Sequence, residues 1–206
     1  MTPPTAPVAE SWARIDAWLA ANAPAALARL RPGAAPAALA AAERALGMAL
    51  PADLAASLAC HDGSEPGSGV LPFRADLLSA EGVVEQWELW NEVSTEEDEG
   101  EEAWGVVAGQ RHWHRLWVPV THFQGDLECL DMRPGPGRGR MGLVPHDGPG
   151  TFDEAAAWPS LGAYLETFAD VLTTGRMPDP PPFDQPHATP TGELGWGRPT
   201  GSSAPS

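Results

Sequence analysis

Lysine is missing from this chain. All 12 basic residues are arginine, against 28 acidic ones, which gives a formal charge of −16 over 206 residues. So little positive charge argues against a nucleic-acid or anionic-membrane surface, since both need a basic patch to displace counterions. It leaves room for a basic protein partner, because long-range attraction raises encounter rates. Cysteine is nearly as scarce. Cys60 and Cys129 cannot make a disulfide framework, so reduced thiols and a cytoplasmic location are expected. No apolar run approaches the ~18 residues of a membrane-spanning helix. The Pro-rich start, Met1 to Ala9, lacks the basic-then-apolar order of a secretory leader.

What is present divides into three stretches. Residues 1–33 read as an N-terminal helical segment, with Trp12, Ile15, Trp18 and Leu19 on one stripe. Pro24 interrupts it and Arg31-Pro32-Gly33 closes it. Residues 34–176 hold the remaining elements. Helices are expected from Pro36 to Leu46, with Gly47 as a left-handed stop, and from Pro51, with Leu54 and Leu58 on one face. A short strand is expected at Val70 to Phe73. Ser79 then has the character of an N-cap for a helix to about Val93. Strands follow at Leu116 to Val120, Leu127 to Met132 and Met141 to Val144. Pro119 cannot donate a ladder hydrogen bond, which puts its strand at an edge or a bulge. A last amphipathic helix runs from Ser160 to about Thr174, ended by Gly175. Beyond Arg176, prolines are dense and apolar residues few. Residues 177–206 are therefore expected to be a disordered Pro-rich tail. Helices, strands and a closing helix in this order predict one α+β domain with a mostly antiparallel sheet.

The residues that could carry chemistry are sparse. Asp126 and Asp131 are five apart, so in an extended strand they point to opposite faces and need a bend to share a metal or a proton. Turn chemistry at Gly125-Asp126 is the simpler reading. His112, His114 and His122 with Cys129 invite zinc, but their spacing matches no structural zinc pattern. Cys60 and His61 are adjacent on a helix and project ~100° apart, poorly placed for proton transfer. The Gly-rich stretch 135–139 lacks the lysine and hydroxyl of a phosphate-binding loop. No cofactor, metal or catalytic set is assigned. A metal-dependent hydrolase using Asp126, Asp131 and the histidines is the least favoured of three functional readings.

Several segments together resemble a known family. Leu46-Gly47-Met48-Ala49-Leu50-Pro51-Ala52-Asp53-Leu54, followed by His61-Asp62-Gly63, resembles the opening signature of the SUKH superfamily, the Smi/Knr cell-wall-regulator type. Leu77-Leu78-Ser79 and the helix through Trp87 resemble its next segment. Trp117-Val118-Pro119-Val120, then Gly125-Asp126, Leu130-Asp131 and Pro134-Gly135-Pro136, resemble its central block. Ser160 to Gly175 resembles its terminal helix. The likeness spans roughly residues 36–175 and implies a SUKH-like fold. In it Leu50, Pro51, Gly63, Pro119, Gly125, Asp126 and Asp131 are structural motif positions. It also implies a protein-binding module without catalysis. The first expectation is a bacterial immunity protein neutralising a toxin, such as a basic nuclease. The alternative is a cytosolic scaffold or regulator linked to cell-envelope assembly or signalling.

Nine tryptophans are many for this length. Trp90, Trp104, Trp113 and Trp117 flank the acidic run Glu96, Glu97, Asp98, Glu99, Glu101 and Glu102, read as an exposed loop because dense like charges repel. Large aromatic area beside steering carboxylates suits a protein interface, so these ten residues are the expected partner surface. Exchanging four of the acidic residues for Ser or Gln is expected to slow association with a basic partner and flatten its salt dependence. Unchanged association rates at low salt would count against that surface.

Overall fold

Proline and glycine punctuate the helical half of the molecule. Residues 7–98, 112–153 and 157–197 are described in this computed structural model. Helix α1 (Val8–Asn22) buries Trp12, Ile15 and Leu19 and ends before Pro24, which starts the short α2 (Pro24–Leu27). Pro36 opens α3 (Pro36–Leu46), and Gly47 stops it at φ 68°. Helix α4 (Ala52–Cys60) follows Pro51 and fully buries Leu54 and Leu58. In α5 (Ala80–Asp98), the Ser79 hydroxyl accepts from the Gly82 amide at 3.0 Å, the expected cap. Asp62 takes the Ala80 amide at 2.7 Å. In α6 (Leu161–Thr174), Ser160 accepts from the Ala163 amide and Gly175 takes the left-handed conformation. The Trp12 indole donates to Ser57 at 2.9 Å, which ties α1 to α4. The N-terminal segment is thus not separate: Trp12, Ile15 and Leu19 belong to the main core with α4 and α6.

Helix α5 corrects one expectation. It was expected to stop near Val93, but the helical backbone continues to Asp98. Thr95 to Asp98 are therefore helical, not loop. Glu99, Glu101, Glu102 and Trp104 lie outside the described residues.

Strands β1 (Asp76–Leu77), β2 (Trp117–Phe123), β3 (Asp126–Asp131) and β4 (Met141–Val144) form an antiparallel sheet in that order. The chain is an α+β fold, as expected. The strand expected at Val70 to Phe73 is displaced to β1. Phe73 and Arg74 have φ of 62° and 60°, and left-handed backbone cannot continue a strand. Gln124 and Gly125, at φ 51° and 100°, make the two-residue turn between β2 and β3, the geometry that matches strand twist. Between Pro119 and Thr121 the β2–β3 register slips by one residue, a bulge. One side of the sheet meets the main core through Val118, Val120, Leu130 and Met141. The other side forms a second cluster of Trp113, Trp117, Leu127, Cys129 and Val144, with Trp87 and Trp90 of α5 packed on it.

The expected disordered tail is folded across residues 177–197. Strands β5 (Pro186–Ala188) and β6 (Leu194–Trp196) pair antiparallel. Phe183 and Trp196 are buried, and the Trp196 ring stacks on Phe168 of α6 at 5.7 Å. The Trp196 indole donates to the Gly69 carbonyl at 2.8 Å. Low average hydropathy concealed two large rings, which bury apolar surface against α6. Residues 198–206 lie outside the described residues.

Truncating a buried Phe or Trp costs about 3–5 kcal/mol, so Trp196→Ala should lower the unfolding free energy by that order in denaturant titration. A chain ending at Arg176 should lose at least as much. If it melted like the full chain, residues 177–197 would not belong to the core.

Candidate functional site

A carboxylic acid stands in the middle of β3, where the sequence is otherwise apolar. Successive residues alternate faces: Leu127 and Cys129 enter the second cluster, while Glu128 points to the side of α6. Glu128 is only 8% exposed. A buried carboxyl must be hydrogen-bonded or neutral, and the fold provides for both. The bulge at Pro119 shifts the register so that Thr121, not Val120, lies opposite Glu128. The Thr121 hydroxyl then donates to Glu128 Oε2 at 2.8 Å, and the Tyr164 hydroxyl of α6 donates to the same oxygen at 3.4 Å. Burial still dominates: the Glu128 pKa is pushed up to about 7 although both hydroxyls favour the anion. Burial, and then the Glu128 charge, holds the Tyr164 phenol well above its ordinary value.

Thr121 and Glu128 form part of the floor of an open cleft of about 870 Å³, a volume typical of ligand sites. Leu143 of β4 stands at its edge, 47% exposed. One wall is the turn at Phe73 and Arg74. Another is the folded tail, through Pro180, Pro181, Pro182, Asp184 and Trp196, with Trp158 beside it. Phe73 is 50% exposed. Its left-handed backbone, and that of Arg74, each cost about 1–2 kcal/mol for residues with a side chain. A strained backbone that holds a large ring at a cleft rim is a feature associated with binding sites.

The sequence-predicted partner surface is only partly present as a surface. Trp113 and Trp117 are 5% and 2% exposed. They are core residues, a correction to their assignment as contact residues. Trp117 packs on Phe152 at 4.7 Å, and Trp113 stands edge-on to Trp117 at 6.0 Å. Strand alternation carries Trp117 inward, and α5 closes over both rings. Trp90 is half-buried, 5.4 Å from Trp113. Glu96, Glu97 and Asp98 lie on the last helical turn of α5; Glu99, Glu101, Glu102 and Trp104 lie outside the described residues.

The motif positions are structural. Leu50 is buried, and Pro51 precedes α4. Gly63 sits at φ 80°, where a Cβ would lie 2.6 Å from the Ser79 amide, so no other residue fits without shifting the start of α5. Asp126 and Asp131 occupy opposite ends of β3. Asp126 accepts from the backbone amide and Nδ1 of His146, at 2.9 and 2.7 Å, so its partner lies in the loop after β4 rather than in its own turn. Asp131 is gripped by the Arg133 guanidinium through Nε and Nη2. The two carboxylates are not brought together. His114 and His122 accept local amides, from Leu116 and Gly125, and Cys129 is fully buried. Burial, and then the Asp16 charge, raises the Cys60 thiol. His61 is held by Asp16 at 3.1 Å and the Arg31 carbonyl at 2.9 Å, not by Cys60. Among the described residues no group of three or more His, Cys, Asp or Glu is arranged to hold a metal. Sequence reasoning missed Glu128. The available signal was a lone acid between apolar neighbours in Leu127-Glu128-Cys129-Leu130.

Comparison with known proteins gives a consistent result. The family model described as SMI1 / KNR4 family (SUKH-1) matches residues 33–167. A Schizosaccharomyces pombe protein named cell wall biosynthesis/cell cycle regulator smi1 is 33% identical over 156 residues, covering 67% of this chain and 31% of that protein. A Neurospora crassa protein named glucan synthesis regulatory protein is 40% identical over 209 aligned residues, covering 82% of this chain and 39% of that protein. The chain thus spans about a third of the length of these curated relatives.

The Glu128 carboxyl predicts a pH dependence of stability. Its pKa rises from 4.5 in the unfolded chain to about 7 in the fold, so the fold holds the extra proton between those values. Its stabilising contribution is complete below about pH 4.5. It declines as pH rises toward 7, by about 3 kcal/mol in all. Denaturant titrations from pH 4.5 to 8 should show this slope. Glu128→Gln, uncharged and of the same shape, should remove it. A slope that persists in the variant would assign it to other groups.

Proposed function

The chain belongs to the SMI1/KNR4 family (SUKH-1), and from that membership and its cleft we propose that it is a non-enzymatic regulator of cell-envelope assembly that acts by binding another protein. The observation that carries this reading is the open cleft of about 870 Å³, with Phe73 and Leu143 held half-exposed at its edge. Exposed large apolar groups around a concavity are a feature of contact surfaces. The names of the fungal relatives, a cell wall regulator and a glucan synthesis regulator, support the scaffold or regulator reading over toxin neutralisation. The partner meets the cleft in the cytoplasm, where the thiols of Cys60 and Cys129 stay reduced.

The rim residue Phe73 allows a test that separates binding from folding. Asn tolerates left-handed backbone better than Phe, so Phe73→Asn should keep or slightly raise stability while it removes the exposed ring. Deleting the gene in its host should increase sensitivity to wall-weakening agents. The wild-type gene should restore resistance, and the Phe73→Asn gene should restore it poorly at equal protein level. Unchanged wall sensitivity after deletion would count against the envelope role, and full rescue by Phe73→Asn would move the contact surface away from the cleft.

A further inference from the structure

The cleft is apolar on its walls but not at its floor. Phe73, Phe123, Trp158 and Trp196 supply aromatic surface around it. Among the described residues, three that bear carboxyls, Asp126, Glu128 and Asp184, line it against one cation, Arg74. Glu128 is more than nine-tenths buried. Both of its hydrogen bonds, from Thr121 and Tyr164, go to Oε2. Its Oε1 makes no hydrogen bond with any described residue, yet it is not sealed from the cleft. Asp184 is exposed and makes no ion pair with any described residue. An unpartnered oxygen at the base of an apolar concavity calls for a donor at the end of an apolar stem.

We propose that this cleft captures a lysine or arginine side chain presented by a partner protein, with the aliphatic stem between the aromatic walls and the cationic head on Glu128 Oε1. The proposal rests on the cleft being the regulator's partner-binding face and names the chemistry of what enters it. Three features of the side chain match the cleft. Its methylene stem covers apolar surface while its head seeks a polar partner. Aromatic faces attract cations as well as methylenes. The head brings the donor that Glu128 Oε1 lacks, and a charge-assisted bond in a water-poor site is stronger than its counterpart in water. The acidic excess of the whole chain, −16, adds long-range attraction for a basic segment.

The test uses three capped tripeptides that differ in one side chain: acetyl-Leu-Lys-Leu-amide, its norleucine analogue, which keeps the stem and lacks the head, and its glutamate analogue. Binding is followed on the full chain by amide and indole NMR shifts at pH 7.5. The Trp196 indole N–H, fixed on Gly69 at 2.8 Å, reports on the cleft wall. The lysine peptide is expected to shift cleft resonances and to bind roughly tenfold or more tightly than the norleucine peptide, the range for a hydrogen bond to a charged group. The glutamate peptide should not bind. In Glu128→Gln the lysine advantage should vanish while norleucine binding persists, which also shows that the variant is folded. Equal affinity for lysine and norleucine would overturn the cationic assignment and leave an apolar partner site. Shifts confined to residues outside the cleft, or no binding by any peptide, would overturn it as well. None of these results depends on the wall phenotype, so failure here is separable from failure of the regulatory role.

Discussion

A carboxyl group shut inside a β-sheet face is the constraint around which much of this molecule is arranged. Charged carboxylate costs several kcal/mol to bury without partners, and Glu128 is given partners from two directions. Thr121 reaches it only because β2 carries a bulge at Pro119; regular pairing would set Val120 opposite and leave no donor on that strand. Tyr164 reaches it only because α6 lies along that side of the sheet. Proline, bulge, hydroxyl and helix position thus depend on one another. The result is a carboxyl poised near neutrality under an open cleft, so it is part of both the stability of the fold and the chemistry of its surface.

The wall of that cleft comes from the part of the chain that composition marks as least structured. Its prolines do not oppose order, because extended backbone is already their preference. What fixes it is aromatic. Phe183 and Trp196 close over Phe168, with Phe183 edge-on at 6.2 Å and Trp196 stacked at 5.7 Å, and the Trp196 indole anchors on the Gly69 carbonyl. The tail thereby links the terminal helix to the loop that leads into Phe73 and Arg74, two walls of one cleft. Membership of the SMI1/KNR4 family accounts for residues 33–167, whereas the aromatic residues of the tail lie beyond that span.

The tryptophans divide by the same logic. On the side of the sheet away from Glu128, Trp113, Trp117, Trp87 and Trp90 build a second core beneath α5. The indoles of Trp113 and Trp87 donate to Asn91 and the Arg115 carbonyl, while the buried Trp117 indole N–H has no partner among the described residues. Aromatic density near an acidic run is therefore explained here by packing of a long helix on a sheet. Of the large apolar residues that stay exposed among the described residues, Phe73 and Leu143 line the cleft, whereas Leu89 and Val93 lie on α5.

By itself the sequence determined the helices with clear local signals: the stripes of α1 and α6, the Ser79 and Ser160 caps, the stops at Gly47 and Gly175, and the β2–β3–β4 order. These are short-range effects of hydrogen bonding, dihedral preference and periodicity, and they are written within a few residues. Four ordered motifs carried the family as well. Only the tertiary structure decided that Trp113 and Trp117 are buried, because burial depends on α5 lying across them. Only it decided that residues 177–197 fold, because Trp196 needs Phe168 and Gly69, which are distant in sequence. The cleft and its floor were likewise not legible. Glu128 is one acid among 28 until a one-residue slip in register, a helix from the far end of the chain and a folded tail place it at the base of a concavity.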